Sequence, residues 1–194
     1  MKNVLILYRS KSGYTKKYAL WAAKALNGEV RALDDVHAQQ LAGYDTVVYG
    51  GGIYAGRING MKKLKKLLPA LAGKRVFLFA VGLSAMDSEQ AQKIRAGQLG
   101  APAFDETPAF YLRGGLDPAK LHGVDRLLIR MMAKSLAGEA NPTPEQQEML
   151  WAVQQSGDYC TEEQLLPLLK AVKGGAENES PLPTVSGSPV LPHP

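Results

Sequence analysis

The sequence contains only one cysteine, Cys160, and three histidines among its 194 residues. A single cysteine excludes a disulfide bond within the chain, and this composition fits a reducing cytoplasm. The histidines lie far apart, and no group of Cys, His and acidic residues has the spacing of a metal site. No apolar run approaches the roughly 20 residues that a membrane-spanning helix needs. We therefore expect a cytoplasmic protein that has neither a metal site nor a transmembrane helix.

The sequence also lacks the motifs of the common nucleic-acid-binding domains. It has no zinc-finger spacing and no aromatic RNA-binding motif, so nucleic acid is not an expected partner. The net charge is nevertheless +5. A positive charge of this size can favour binding to an anionic membrane, an acidic partner or an anionic ligand, or it can contribute to solubility alone.

Short apolar runs alternate with amphipathic helical patterns along the chain. The runs predict strands at residues 3–8, 29–33, 45–50, 74–81 and 109–112. The helical patterns cover about residues 15–26, 61–71 and 87–99, and a Thr161/Gln164 capping box opens a last helix to about Val172. This alternation predicts an α/β fold with a doubly wound, five-stranded parallel sheet. In the order 2-1-3-4-5, the loops after strands one, three and four meet at one edge of the sheet.

Residues 113–159 form an insertion between the fifth predicted strand and the last helix. It contains two predicted helices, one at 124–137 and one that begins at Thr143-Pro144, where Gln146 completes a capping box. Residues 173–194 are rich in Pro, Gly and Ser, which predicts a disordered or extended tail. We therefore expect one domain over residues 1–172, followed by this tail.

The most informative stretch is S-K-S-G-Y-T at residues 10–15, between the first predicted strand and the first predicted helix. Hydroxyl groups and backbone N–H groups at a helix N-terminus favour a phosphate. The loop has neither the Walker motif nor the G-x-G-x-x-G dinucleotide motif, which leaves a pocket suited to a single terminal phosphate. Ser and Thr are also preferred as helix N-caps for purely local reasons, so that interpretation stays open.

Two further loops are expected at the same edge of the sheet. The second loop contains three consecutive glycines, Gly50 to Gly52, which allow close approach of a ligand or another backbone or form a flexible turn. Tyr54 in this loop could stack on a planar ring. The third loop, residues 82–86, is small and mildly polar, so a planar ring could rest against its backbone.

These three loops, placed on five predicted strands, resemble the flavodoxins over about residues 2–172. The phosphate loop of that family has the form T-x-T-G-x-T, and this chain has Ser at both earlier Thr positions. The resemblance implies FMN as cofactor, with its phosphate on the first loop and its isoalloxazine between the other two. The cofactor-binding residues that it implies are Ser10, Lys11, Ser12, Gly13, Tyr14, Thr15, Gly51, Gly52, Ile53, Tyr54, Ala55, Val81, Gly82, Leu83, Ser84 and Ala85. Because the flavin itself carries the redox chemistry, no catalytic residue is implied.

Two segments of the insertion narrow the resemblance. F-Y-L-R-G-G-L-D at residues 110–117 and D-R-L-L-I-R-M-M at residues 125–132 resemble the flavodoxin-type, menaquinone-dependent protoporphyrinogen dehydrogenases. The same insertion occurs in flavodoxin-domain proteins whose substrate is not known. The resemblance implies an FMN-dependent oxidoreductase, of a protoporphyrinogen or quinone type.

The alternatives are a non-enzymatic flavodoxin electron carrier and a flavin-binding protein with a regulatory role. Electron carriers of this family are usually strongly acidic, which orients them on basic redox partners. Here the phosphate loop is flanked by basic residues, namely Arg9, Lys11, Lys16 and Lys17. The basic charge therefore favours an enzyme over a carrier.

The predicted helix at residues 124–137 is amphipathic and basic. Its apolar residues, which fall near one face, are Val124, Leu127, Leu128, Met131 and Leu136, and its basic residues are Arg126, Arg130 and Lys134. Such a helix can lie on an anionic membrane or pack against its own domain. The expected partners are a redox partner or a quinone, with peripheral contact at the inner face of the membrane. The sequence leaves the oligomeric state open.

Overall fold

A parallel β-sheet forms the centre of the protein. The structure is a computed structural model that describes residues 3–54, 56–85, 104, 106–121 and 123–174. Its strands are β1 (Val4–Arg9), β2 (Glu29–Ala32), β3 (Thr46–Tyr54), β4 (Arg57–Ile58), β5 (Arg75–Gly82), β6 (Ala109–Arg113), β7 (Gly115–Leu116) and β8 (Gly157–Asp158). Its α-helices are α1 (Tyr14–Leu26), α2 (Met61–Lys66), α3 (Leu68–Leu71), α4 (Gly123–Ala137), α5 (Pro144–Gln154) and α6 (Leu166–Lys173).

The main sheet has the order β2-β1-β3-β5-β6, and all of these strands are parallel. This confirms the predicted doubly wound α/β fold and its strand order 2-1-3-4-5. The sheet also carries one strand that the sequence pattern did not indicate. β4 folds back from β3 as an antiparallel hairpin, with Ile53 opposite Ile58 and Tyr54 opposite Arg57. The turn contains Gly56 at φ 72°, a conformation that favours glycine.

The hydrophobic core forms one layer on each face of the sheet, because successive side chains of a strand point to opposite faces. Leu5 and Leu7 of β1 pack in one layer with α2 and α3, while Ile6 packs in the other with α1 and α6. β1 and β5 are apolar through their centres, as is typical of strands covered on both faces. The sheet therefore fixes the three strand ends at which the loops were expected.

Three details differ from the sequence predictions. Residues 61–71 form two short helices rather than one, because Pro69 in the first turn of α3 cannot continue a helix from α2. The predicted capping box of Thr161 and Gln164 is wrong, since the Gln164 amide bonds instead to the Arg113 N–H and the Tyr159 carbonyl. A 3-10 turn at Glu163–Leu165 leads into α6. The predicted helix at 87–99 and nearly all of the predicted tail, from residue 175 onward, lie outside the described residues.

The insertion adds two helices and a small sheet. α4 packs against α5, and β7 pairs antiparallel with β8. The predicted capping box at the start of α5 is confirmed, because Thr143 Oγ1 accepts from the Gln146 N–H and the Gln146 side chain accepts from the Thr143 N–H. The insertion therefore begins directly after β6, and β8 brings its end back to β7.

Candidate functional site

The loop after β1 ends at a helix N-terminus that lacks a capping side chain within the described chain. Gly13, the residue before α1, has φ 94°, and its N–H donates to Ser10 Oγ at 3.0 Å. Ser10 thus stabilises the turn itself instead of capping α1. Thr15 lies inside the first turn and is almost fully buried, at 3% exposure, while Ser12 is exposed. The N–H groups of the first turn are therefore available to an anion.

The three glycines lie within strand β3, so their predicted position in a loop is wrong. β3 continues through them because it stays paired with β1 and β5, with Gly51 opposite both Arg9 and Ala80. A Cβ at Gly50 would clash with the ring of Phe79, and one at Gly51 would clash with Ile58. Two of the three glycines therefore make room for the protein's own atoms.

Gly52 differs from the other two glycines. Among the described residues, a Cβ placed on it would meet only Thr15 Oγ1, at 3.3 Å. Gly52 is therefore the position at which β3 comes close to the first turn of α1. A ligand that lies on the first loop would pass along this glycine, because no side chain projects from it.

Lys11, Tyr54 and Asp125 form a cluster that joins the first loop, the β3–β4 hairpin and the insertion. Lys11 Nζ lies 3.7 Å from the centroid of the Tyr54 ring and 2.8 Å from Asp125 Oδ1. The Tyr54 hydroxyl donates to the same carboxylate oxygen at 2.7 Å. The hydrogen bond from Lys11, followed by that from Tyr54, lowers the pKa of Asp125 below its usual value. Asp125 is therefore an acceptor for both groups at neutral pH.

The third loop is held from β6. The Tyr111 hydroxyl donates to the Ser84 carbonyl at 2.7 Å, and Arg113 Nε donates to the Leu83 carbonyl at 3.3 Å. Burial raises the pKa of Tyr111, so its hydroxyl remains a donor at neutral pH. Arg113 also pairs with Glu148 of α5 at 2.6 Å. Two hydrogen bonds from β6 thus hold the backbone of this loop in place.

The structure brings most of the predicted site residues to neighbouring strand ends. Gly51 is opposite Arg9, Gly52 is opposite Val81 and Gly82 is opposite Arg113, so the ends of β1, β3 and β5 are adjacent. Of the predicted site residues, Ala55 lies outside the described chain. The others are Ser10, Lys11, Ser12, Gly13, Tyr14 and Thr15 on the first loop and start of α1, Gly51, Gly52, Ile53 and Tyr54 on β3, and Val81, Gly82, Leu83, Ser84 and Ala85 at the end of β5.

Tyr14 faces the insertion as well as the first loop. A Cβ on Gly115 would meet its ring at 2.7 Å, and its hydroxyl donates to the Gly157 carbonyl at 3.4 Å. Lys17, one turn further along α1, pairs with Asp158 at 2.7 Å. No sequence pattern indicates these contacts, because the partners are about 100 or more residues apart. The insertion therefore lies directly beside the start of α1.

The apolar side chains of α4 face outward. Val124, Leu127 and Met131 are 69%, 57% and 59% exposed, and no described residue of the helix is buried. α4 packs against α5, but no residue in the described part of the chain covers these three side chains. No helix in the described part of the chain is both long and apolar enough to cross a membrane.

The family model for the flavodoxin domain matches residues 5–143. The chain belongs to the flavodoxin domain family. The sheet order of this flavodoxin domain agrees with the assignment. No curated protein matches the chain.

Solved structures similar to this flavodoxin domain are distant. A Fusobacterium nucleatum flavodoxin bound to flavin mononucleotide has 20% identity and TM-score 0.38, covering 43% of this chain and 53% of its own length. Flavodoxin 2 from Bacillus cereus has 17% identity and TM-score 0.42, covering 78% and 95%. An NADH:FMN oxidoreductase has 16% identity and TM-score 0.43, covering 79% and 87%. These similarities are too low to assign an activity.

Proposed function

We propose that the protein is an FMN-dependent oxidoreductase that oxidises a porphyrinogen-type tetrapyrrole and passes the electrons to a quinone. The observation that carries the FMN assignment is the uncapped start of α1 beside Gly52, at the carboxyl edge of a flavodoxin sheet. Flavodoxin family membership supports the same cofactor.

The residues of the site fit FMN in charge and in shape. The first-turn N–H groups of α1 and the hydroxyls of Ser10, Ser12 and Thr15 can hold the phosphate. The bare backbone at Gly52 leaves room for the ribityl chain beside Thr15. Tyr54 and the Leu83–Ser84 backbone can contact the isoalloxazine, and the bonds from Tyr111 and Arg113 keep that backbone in place.

When bound, FMN supplies the redox chemistry by accepting two electrons from a reduced substrate and passing them to an acceptor. Conversion of a porphyrinogen to a porphyrin removes six electrons and six protons, so it takes three two-electron steps, and each step reduces one quinone to its quinol. The protein binds and orients the reactants. The cluster of Lys11, Tyr54 and Asp125 connects the first loop and the β3–β4 hairpin to the insertion, and Arg113 connects the third loop to it. These contacts support a role for the insertion at the substrate side.

A lipid-soluble quinone requires contact with a membrane surface, and we propose α4 as the contact. Arg126, Arg130 and Lys134 recur every four residues, so they form one basic stripe beside the exposed apolar side chains. An amphipathic helix of this kind binds anionic lipid through both features. The membrane would cover apolar side chains that the described part of the chain leaves exposed.

The test is turnover by the full chain after reconstitution with FMN. Under anaerobic conditions, we expect the protein to convert a porphyrinogen to the fluorescent porphyrin while it reduces a naphthoquinone. A variant that lacks residues 116–137 should lose this turnover, provided that circular dichroism and flavin absorbance show an intact, FMN-loaded domain. If that variant reduces the quinone at the wild-type rate, the insertion is not part of the active site. Rapid reduction of a redox protein, without turnover of any small molecule, would establish an electron carrier instead.

A further inference from the structure

Arg113 lies at the junction of the third loop and the insertion. Its Nε donates to the Leu83 carbonyl at 3.3 Å, and its Nη2 donates to Glu148 Oε1 at 2.6 Å. The Cζ atom of the guanidinium is 4.2 Å from the centroid of the Tyr159 ring. The Arg113 side chain is only 21% exposed, so water and salt screen its charge less than that of a surface arginine. A positive charge is therefore held one hydrogen bond away from the backbone of the third loop.

The backbone that carries this charge is itself fixed. The Arg113 N–H donates to Gln164 Oε1 at 2.7 Å, and Arg113 is opposite Gly82 where β6 pairs with β5. The next N–H, that of Gly114, donates to the Gly82 carbonyl at 2.7 Å. Because the third loop starts at this end of β5, the guanidinium and the loop are held to the same strand end.

Glu148 is the insertion's part of this arrangement. It lies in the second turn of α5, whose start is fixed by the Thr143 capping box, and its side chain is 40% exposed. Opposite charges in contact largely cancel each other's field at a distance, so Glu148 weakens the field that Arg113 exerts at the third loop. The position of α5 therefore determines how much positive potential this loop experiences.

We propose that the Arg113–Glu148 pair sets the reduction potential of bound FMN, with Arg113 raising it and Glu148 lowering it. The inference rests on the proposed function in placing the isoalloxazine against the Leu83–Ser84 backbone. A flavin that takes up two electrons and one proton gains one negative charge, so a positive charge near the ring favours the reduced form. Both side chains act through the charge that they place beside the third loop, and neither needs to touch the substrate.

The experiment measures the midpoint potential of the FMN-loaded full chain, by stepwise anaerobic reduction with dithionite against a reference dye. Glu148→Gln leaves Arg113 without its counter-charge. We expect this variant to tighten reduced FMN relative to oxidised FMN by roughly tenfold, the scale of one partly screened charge. For a two-electron couple, that ratio equals a rise of about 30 mV in the potential. Arg113→Gln should lower the potential by a similar amount, because it leaves the Glu148 carboxylate unpaired.

The opposite signs separate an effect of charge from an effect of loop structure. If the pair only held the third loop in place, both variants would weaken oxidised and reduced FMN alike and leave the potential unchanged. Arg113→Lys keeps the positive charge and should retain most of the wild-type potential. Tyr111→Phe removes a neutral hydrogen bond to the same loop, at the Ser84 carbonyl, so it should weaken both forms of FMN without shifting the potential.

The same charge changes made elsewhere are the matched controls. Lys24→Gln removes a positive charge from the last turn of α1, roughly 15 Å along that helix from the first loop. Glu139→Gln removes a negative charge from an exposed residue just beyond α4. Both should change the potential much less than the variants of the pair, because water and salt screen distant exposed charges. Thermal unfolding of each variant confirms that the protein is folded before titration.

The outcomes separate this inference from the proposed function. If the wild type binds FMN but Glu148→Gln and Arg113→Gln shift the potential in the same direction or not at all, the inference is wrong and the FMN assignment stands. Control variants that shift it as strongly would also overturn the inference, in favour of net charge alone. If the shifts are opposite but no porphyrinogen is turned over, the inference stands and the proposed substrate is wrong. A folded wild type that binds no FMN would overturn both.

Discussion

The sheet and the insertion are held together by different forces. In the sheet, side chains such as Leu5, Ile6 and Phe79 are completely buried. In the insertion, α4 has no buried residue, and polar contacts of Asp125 join it to the first loop and to the β3–β4 hairpin. Among the described residues, three ion pairs join the two regions: Lys11 with Asp125, Lys17 with Asp158, and Arg113 with Glu148. Hydrophobic burial stabilises a structure strongly, whereas exposed ion pairs contribute little, so the insertion should respond to conditions that leave the sheet intact.

The largest expected difference is in stability. Phe79→Ala should lower the free energy of unfolding by about 3–5 kcal/mol, because it removes a fully buried ring and leaves a cavity. Leu127→Ala in α4 should change it by less than about 0.5 kcal/mol, because that side chain is exposed. Urea unfolding followed by circular dichroism measures both values. If Leu127→Ala lowers the free energy of unfolding nearly as much as Phe79→Ala does, then α4 is packed. The sheet and the insertion would then not differ in this respect.

A second prediction concerns the outward side of α4. Arg126, Arg130 and Lys134 should each contribute about 1 kcal/mol to binding at an anionic bilayer. Replacement of all three by Gln should therefore abolish co-sedimentation with vesicles of phosphatidylserine and phosphatidylcholine at low salt. Wild-type binding should also decline as salt is raised, because screening shortens the range of the charges.

The matched control for this experiment lies on the sheet region rather than on the insertion. Lys62, Lys65 and Lys66 are exposed on α2, which packs on the sheet, so replacing them by Gln removes the same charge elsewhere. This control should still sediment with the vesicles. Equal loss of binding in both variants would indicate a response to net charge alone, and no sedimentation of the wild type would exclude α4 as a membrane contact.

The third prediction concerns the first loop, which the sheet holds in place. Thr15→Ala should weaken FMN by about 1.5–3 kcal/mol, or roughly tenfold to a hundredfold, because a hydrogen bond to the charged phosphate is lost. Thr15→Ser keeps the hydroxyl and should retain most of the affinity. Flavin fluorescence titration measures both. A folded wild-type protein that binds no flavin would contradict the cofactor assignment.

The sheet was predictable from sequence because each strand carries its signal locally. The apolar run of β5 predicts a strand buried on both faces, and the order of strands and helices then predicts the sheet. The glycines were misplaced because the feature that requires them is distant in sequence. The Phe79 ring fills the space over Gly50, and no pattern within residues 50–56 indicates this.

The loops of the candidate site could be predicted from sequence, but the side-chain contacts between them and the insertion could not. The hydroxyl-rich first loop was recognisable from residues 10–15 alone. The bond between Lys11 and Asp125 joins residues 114 apart, and that between Tyr54 and Asp125 joins residues 71 apart. Such pairs depend on where the insertion folds back, and hydrophobic periodicity does not report that position.

The smallest predicted effect is at Asp125, whose bonds to Lys11 and Tyr54 join the insertion to the rest of the domain. Asp125→Asn should leave the thermal unfolding of the sheet almost unchanged, since an exposed ion pair contributes about 0.2–1 kcal/mol. It should still increase trypsin cleavage at Arg126 and Arg130 by up to about fivefold, because α4 opens more often when its tie is weakened. Glu139→Gln, an exposed carboxylate just beyond α4, is the control and should cleave at the wild-type rate.

Lowering the pH gives an independent test of the interaction of Asp125 with Lys11 and Tyr54. The pKa of Asp125 is lowered in the folded protein by the hydrogen bonds from Lys11 and Tyr54, so the unfolded chain binds the proton more readily. The stabilisation is therefore present in full above the usual carboxyl pKa, 3.8, and disappears as the pH falls through the lower, folded value. Chemical shifts of the α4 amides, recorded between neutral pH and about pH 2, should move in that acid range in the wild type and remain flat in Asp125→Asn. An equal response in both proteins would mean that another carboxylate controls α4, and that Asp125 does not link the insertion to the first loop.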